Sequence, residues 1–325
     1  MKNTLFIFGT SHDAQFNLAS EEYLLKHTDK NVIYIWQNAP AVIVGVNQNA
    51  LSEINFDYVN KNGVKVVRRQ TGGGAVYHDL GNVCFTIIAP YDNEINHYKE
   101  FCAPVIEYLS TLGVKAEFSG RNDLLVDGLK ISGTAQTVYK NRILFHGTLL
   151  FDSQMSALEG ALKPNKLKTQ SKGIKSVRAR VTNIKNFVKE PMEINDFVLG
   201  LKKHFESKYT TYDFTKTDLE EINALVDSKY STYEWNIGHS PKAQNVIDMA
   251  FSFGIMSICF DLENGIIKNA KIYGDFFAKS DVERFSLSLC GKELKFEQIE
   301  SAFTGIEEVI DGADKTLIAQ KFINA

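Results

Sequence analysis

Two stretches of the chain carry residue types suited to handling an anion. In Arg68-Arg69-Gln70-Thr71-Gly72-Gly73-Gly74-Ala75-Val76-Tyr77-His78-Asp79, three consecutive glycines weaken helix and strand alike. Such a run points to a backbone that turns sharply or lets a ligand come close. Successive N–H groups in that kind of turn can form an anion nest, and two adjacent arginines add charge for a phosphate or carboxylate. A glycine-rich turn with solvated arginines is the alternative. The common phosphate loops do not fit: there is no GxxxxGK[ST], and Gly72–Tyr77 lacks the third glycine of GxGxxG and runs into strand-like residues. A nucleotide site here would use another fold.

Lys130 marks the second stretch. Asp127-Gly128 between two apolar runs specifies a two-residue type I′ hairpin. Counting from the turn pairs Val126 with Leu129, Leu125 with Lys130, Leu124 with Ile131 and Asp123 with Ser132. Asp123, Leu125, Lys130 and Ser132 then share one face, and Leu124, Val126, Leu129 and Ile131 form the other. A lone lysine in a hairpin commonly just faces solvent. Beside an acid and a hydroxyl, its ammonium instead suits phosphate or carboxylate oxygens where charge develops. His78 and His146 adjoin glycine-containing motifs and can be acid, base or structural. No Ser-His-Asp spacing or GxSxG elbow favours a hydrolase. Cys84, Cys102, Cys259 and Cys290 form neither a CxxC nor a metal-ligand set, and buried free thiols are expected.

The elements that position these residues follow from periodicity. Residues 13–28 open on a capping Asp13 and bring Phe16, Ala19, Tyr23 and Leu24 to one helical face. Residues 32–36 and 41–46 are β-branched runs split by Asn38-Ala39-Pro40, which predicts a hairpin. Strands are predicted over 64–69 and 83–88, and a helix over 97–112 with Gly113 as its C-cap. A further hairpin over 135–150 turns at Lys140-Asn141; helices are predicted over 193–208, 216–227, 296–303 and 314–323, and strands over 251–262 and 265–277. Residues 233–241 are turn-like in composition. Regular βαβ alternation is absent, so the fold class is α+β with a largely antiparallel sheet. A second, small α/β domain of about 80 residues is expected from about 245 onward, dividing the chain into 1–244 and 245–325.

With 44% hydrophobic and 23% charged residues among 325, the chain excludes a collagen, a disordered tail and a disulfide miniprotein. It has no apolar run of about 18 residues, and Asp13 stands where a signal peptide would continue, so a cytoplasmic protein with no membrane partner is expected. A net charge of −3 argues against a general nucleic-acid binder. The charge is uneven: nine basic residues and no acid lie from Lys163 to Lys189, leaving −12 elsewhere. A solvated basic loop or an acidic partner explains that segment.

Several motifs together give a resemblance. Residues 68–82 (RRQTGGGAVYHDLGN), 120–136 (GRNDLLVDGLKISGTAQ), 145–151 (FHGTLLF), 172–184 (KGIKSVRARVTNI) and 234–238 (EWNIG) resemble the lipoate–protein ligases, in order and at the family's spacings. The tail after 245 is similar to the accessory domain of the two-domain members. Thr71, where Ser is frequent, and Tyr77, where Phe is frequent, depart from the pattern but keep the hydroxyl and the ring.

The resemblance implies the biotin/lipoate ligase fold, related to class II aminoacyl-tRNA synthetases. It implies that lipoate and ATP give lipoyl-AMP and pyrophosphate, and that the lipoyl group then passes to an acceptor lysine. The family's invariant lysine falls on Lys130, placed to contact the carboxylate and α-phosphate of the adenylate. Arg69 and Gly74, Ala75, Val76 and Tyr77 fall on ATP-contacting positions; Gly73, Asn82, Asn122, Asp123 and His146 match further pocket positions. Mg²⁺ would accompany the ATP. Apolar side chains should line the acyl tunnel, with Trp36 and the Val42–Val46 run as candidates. Residues 172–183 match a segment that closes over the adenylate. Implied partners are the apo lipoyl domains of 2-oxoacid dehydrogenase E2 subunits and the glycine cleavage H protein, with a monomer as the default state. Two rival readings stay open: an ATP-independent octanoyl or lipoyl transferase of the same fold, which would need a cysteine nucleophile, and a non-catalytic lipoate- or nucleotide-binding protein.

Overall fold

The runs that read as strands alternate between two buried faces. The computed structural model describes residues 3–91, 98–119, 122–163, 181–238 and 245–324. In chain order the strands are β1 (Thr4–Phe8), β2 (Asn31–Trp36), β3 (Ala41–Val44), β4 (Lys65–Arg68), β5 (Val76–His78), β6 (Asn82–Pro90) and β7 (Glu117–Ser119). They continue with β8 (Asp123–Val126), β9 (Leu129–Tyr139), β10 (Arg142–Leu150), β11 (Thr210–Thr211), β12 (Asn245–Phe251), β13 (Gly254–Glu263) and β14 (Ile266–Gly274).

Among the described residues the main layer is an eight-stranded sheet in the order β11-β1-β2-β6-β10-β9-β8-β7. Its β1 edge is parallel and the rest antiparallel. Ile33, Ile35, Phe85, Ile87 and Phe145 pack under the helices Tyr98–Thr111 and Ile194–Glu206. Val32, Tyr34, Trp36, Cys84, Ile88 and Leu144 point the other way, under helix α1 (Ala14–His27). Covering both faces makes these strands read as near-continuous apolar runs. On the α1 side Thr86 pairs across the ladder with His146, and both are buried, so polar groups interrupt an otherwise apolar surface. As expected, Asp13 caps α1, accepting from the Gln15 N–H at 2.9 Å.

The hairpin expected between residues 32–36 and 41–46 does not form. β2 stays in the main sheet, while β3 enters a separate three-stranded sheet, parallel to β4 and antiparallel to β5. The connection is held elsewhere: Asn38 is fully buried against Asn17, and the Ala39 N–H donates to His12 O at 2.8 Å. This small sheet carries the glycine-rich loop between β4 and β5.

The Asp127-Gly128 hairpin is present, with both residues at positive φ. Its register is corrected by a bulge: Leu124 pairs with Ser132 and Asp123 with Gly133. Ile131 is the extra residue, so Ser132 turns to the buried face with Leu124 rather than joining Lys130. Asp123 and Lys130 still meet.

β12, β13 and β14 form an antiparallel sheet with its own apolar core, shared with the helices Glu283–Leu289, Phe296–Ala302 and Lys315–Ile323. The strand expected over 251–262 is β13, starting three residues later: β12 ends at Phe251, the chain turns at Ser252-Phe253, and Gly254 takes a φ of +136° that strongly favours glycine. Among the described residues no helix is long and apolar enough to cross a membrane.

Candidate active site

Both arginines of the glycine-rich segment are buried, so neither is a solvated charge. Arg68 donates Nη1 to the carbonyls of Gly45, Val46 and Gln48, Nε to Trp235 O and Nη2 to Asn236 O. Arg69 donates Nε to Thr71 Oγ1 at 2.8 Å, Nη1 to Ile43 O, and Nη2 to Gly72 O at 2.6 Å and Gly74 O at 2.9 Å. Burial lowers both to about 10, which leaves them cationic at neutral pH. In a trans peptide the N–H points opposite its carbonyl. Arg69 therefore turns the Ala75 N–H away from itself, while the Gly73 N–H donates to Phe276 O at 3.4 Å; Gly73, Gly74 and Ala75 all line the pocket. Gly73 sits at φ +90°, and a Cβ there would meet Arg69 Nη2 at 3.1 Å and the Phe277 ring at 3.2 Å. Glycine is required at that point.

The pocket has two characters. Leu18, Trp36, Ile43 and Ala135 make an apolar end, and Lys130, Asn122 and the glycine loop a polar one, with His146 also in the wall. Lys130 Nζ lies 2.6 Å from Asp123 Oδ1, about a third exposed. The Lys130 carbonyl accepts from the Thr182 N–H at 2.9 Å, and Asn183 is clasped to Ser153. The far end of the 172–183 segment is thus pinned beside the lysine; residues 172–180 lie outside the described residues, as do Lys166 and Lys168. Asn122 is locked to β9 through Thr134.

Of the site residues expected from sequence, Arg69, Gly73, Gly74, Ala75, Val76, Asn122, Lys130 and His146 all line this one pocket. Asp123 reaches it through Lys130. Tyr77 instead packs in the core under the small sheet, and Asn82 lies behind the wall with its Nδ2 3.3 Å from Cys84 Sγ. Of the Val42–Val46 run only Ile43 faces the pocket; Val42 and Val44 join the other core. His78 receives a hydrogen bond from Asn38 Nδ2 at 3.0 Å. Burial, then Arg69 and His146, push its pKa down to about 3, so it is a neutral, structural imidazole.

Sequence reasoning missed Glu21 and Phe277. Glu21 stands three residues from Leu18 and four from Leu25 on a buried face of α1, so a carboxylate within an apolar stripe was the available signal. Phe277 comes from beyond β14 and has no local signal. Among the thiols, Cys84, Cys102 and Cys259 are buried and Cys290 half-buried. Burial raises the Cys84 thiol, with Glu21 adding to the rise, and pushes Cys102 up to about 12. Neither is a ready nucleophile.

Two family models match the chain: the lipoyl protein ligase A/B catalytic domain over residues 13–206 and the bacterial lipoate protein ligase C-terminus over residues 240–322. Lipoate-protein ligase LplJ of Bacillus subtilis is 42% identical over 303 residues, 91% of this chain and 92% of that protein. Lipoate–protein ligase 1 of Staphylococcus aureus is 43% identical over 297 residues, 90% of each. Among solved structures, P. falciparum LipL1 in complex with lipoate superposes with a TM-score of 0.80 at 27% identity, covering 99% of this chain and all of that one. Lipoate-protein ligase A bound with ATP gives 0.62 at 29% identity, over 73% and 98%. The bipartite ligase of the Thermoplasma acidophilum lipoylation system, described with its E2 lipoyl domain, gives 0.65 at 29%, over 75% and 100%. The α+β fold with a large mixed sheet and a C-terminal accessory unit agrees with these neighbours.

Proposed function

The chain belongs to the lipoate–protein ligase family, and on that premise we propose how its own residues carry out the ATP-dependent ligation of lipoate to protein. The observation that carries the reading is one pocket lined together by apolar side chains, the glycine loop and Lys130. The apolar end takes the acyl chain and dithiolane of lipoate. The glycine loop and Lys130 take the α-phosphate, and pyrophosphate leaves from it. Lys130 then lies where the lipoate carboxylate attacks that phosphate, and its charge stabilises the crowded transition state by position and electrostatics, without a covalent intermediate on the enzyme. Asp123 holds the ammonium in place and, in the second step, is available to orient the incoming acceptor amine.

Among the described residues no group of three or more His, Cys, Asp or Glu side chains is placed to hold a metal. A Mg²⁺ would come with the ATP phosphates, and partly exposed Asp123 is the carboxylate we assign to hold it. When bound, the ion neutralises phosphate charge. We assign catalysis to residues 1–244 and an accessory role to 245–325, supported by the separate core of the second unit. The proposed acceptors are lipoyl domains of 2-oxoacid dehydrogenase E2 subunits and the glycine cleavage H protein, met by a monomer in the cytoplasm. The raised thiol of Cys84 favours the ligase over a cysteine-dependent transferase.

Lipoate-dependent exchange of pyrophosphate into ATP tests this directly. The wild-type chain should show it and Lys130→Ala should lose it. Exchange that persists without Lys130 overturns the assignment; no exchange in the wild type returns the chain to transferase or binder.

A further inference from the structure

Behind the pocket wall, a line of side chains runs unbroken from the glycine loop to the apolar end. Arg69 Nε donates to Thr71 Oγ1 at 2.8 Å, and Thr71 Oγ1 lies 2.9 Å from His146 Nε2. His146 Nδ1 lies 2.9 and 3.1 Å from the two Glu21 oxygens. Glu21 Oε1 also accepts from Thr86 Oγ1 at 2.5 Å, and Thr86 accepts from Trp36 Nε1 at 2.9 Å. Every member is buried, Glu21 at 3% exposure.

The ends of this line dictate its middle. Guanidinium and indole N–H groups can only donate, so both threonine oxygens accept from outside, and each hydroxyl proton is directed inward. Thr86 therefore donates to the Glu21 carboxylate, and with a neutral ring Thr71 donates to His146 Nε2, which leaves the ring proton on Nδ1, facing Glu21. One tautomer satisfies every donor and acceptor. A buried network so closed is rigid.

Resting on the ligase reading above, we propose that Glu21 is a positioning residue that sets the nucleotide-facing glycine loop and the acyl end of the pocket as one unit. At one end the line fixes Arg69, which holds the carbonyls of Gly72 and Gly74 and so sets the path of the loop. At the other it fixes the indole of Trp36, a wall of the acyl end. His146, in the same wall, lies between them. Lipoate and ATP would therefore meet a pocket whose two halves are cut to one geometry, which in-line attack on the α-phosphate demands.

The test uses steady-state pyrophosphate exchange with the full chain. Thr86→Val is the diagnostic variant, because Thr86 touches the acyl side yet stands far along the line from the glycine loop. It should raise KM for ATP as well as for lipoate by about fivefold or more, the scale of losing one buried hydrogen bond. Glu21→Gln, which sets an amide donor against His146 Nδ1, should raise both KM values about tenfold with kcat lowered less than threefold. Thr71→Val should do the same for ATP, and Thr71→Ser should restore wild-type values within about twofold. Glu21→Gln combined with Thr71→Val should be no worse than the more severe single variant. A Thr86→Val enzyme altered only in KM for lipoate, or single effects that multiply in the double variant, overturns the proposal. Failure of the wild type to exchange would instead strike the ligase reading beneath it.

Discussion

The two polar walls of the pocket are built on opposite plans. The glycine loop is held by Arg69 and the 45–48 turn beside it by Arg68, both buried and both bonded almost entirely to backbone carbonyls. Lys130 stands on a bulged hairpin, a third exposed, with Asp123 as its ion partner. One wall is fixed before any ligand arrives; the other offers a mobile point charge to whatever oxygens come. The contrast separates two jobs that a positive charge can do in one site. Buried arginines shape, and the accessible lysine reacts to charge that develops.

Removing Lys130 is the severest test of that division. Lys130→Ala should cut the lipoate-dependent exchange rate by roughly a thousandfold or more, the scale of a lost transition-state charge contact, which is about 4 kcal/mol. Its urea unfolding midpoint should stay near wild type, because a partly exposed ion pair contributes little to stability. A variant that loses activity by unfolding would erase the contrast. Arg68→Met should behave in the reverse sense. It strands the carbonyls of Gly45, Val46, Gln48, Trp235 and Asn236 in the interior, and should cost about 3–5 kcal/mol in denaturant unfolding. Whatever remains folded should keep a measurable kcat. Equal losses of stability from both variants would show that the walls are alike.

The same division explains what was legible in the sequence. Three glycines, Arg69 and an Asp-Gly turn are local statements, and the segments they mark line one pocket. The role of the arginines was not legible, because a solvated and a carbonyl-capping guanidinium look identical in one dimension. Nor was the bulge that sends Ser132 inward, since the turn sets register only for the pairs next to it. The 32–46 hairpin failed because Asn38, read as a turn residue, is a buried polar anchor to α1. Glu21 and Phe277 reach the pocket only through tertiary packing, from a helix face and from beyond β14. Periodicity recovered most long elements, and the cross-sheet polar line lay beyond it.

A titration sharpens the comparison on the fixed wall. The ordinary His pKa is about 6.5, and burial with Arg69 and His146 brings His78 to about 3. The unfolded chain then binds the extra proton, so this contribution to stability is complete above about pH 6.5 and is lost as pH falls toward 3. Between pH 6.5 and 5 wild type should lose roughly 2 kcal/mol from this group. His78→Gln should show a correspondingly flatter pH dependence in urea titrations, and an unchanged slope would mean the ring is not held neutral.

The smallest effect belongs to the lysines at the start of the basic segment. Within the described residues Lys163 donates to Leu51 O and Lys185 pairs with Asp152 and Glu193, so these cations lie at the surface away from the pocket. Nine positive charges in an otherwise acidic chain can still steer an acidic acceptor domain over several ångströms at low salt. Replacing Lys163, Lys166 and Lys168 with Gln should therefore slow transfer to a purified lipoyl domain about two- to fivefold at low ionic strength. Pyrophosphate exchange should be unchanged, and the difference should vanish near 0.5 M salt, where the screening length drops to about 4 Å. Equal transfer rates at low salt would make the segment a solvated loop and leave Lys130 with no distant help.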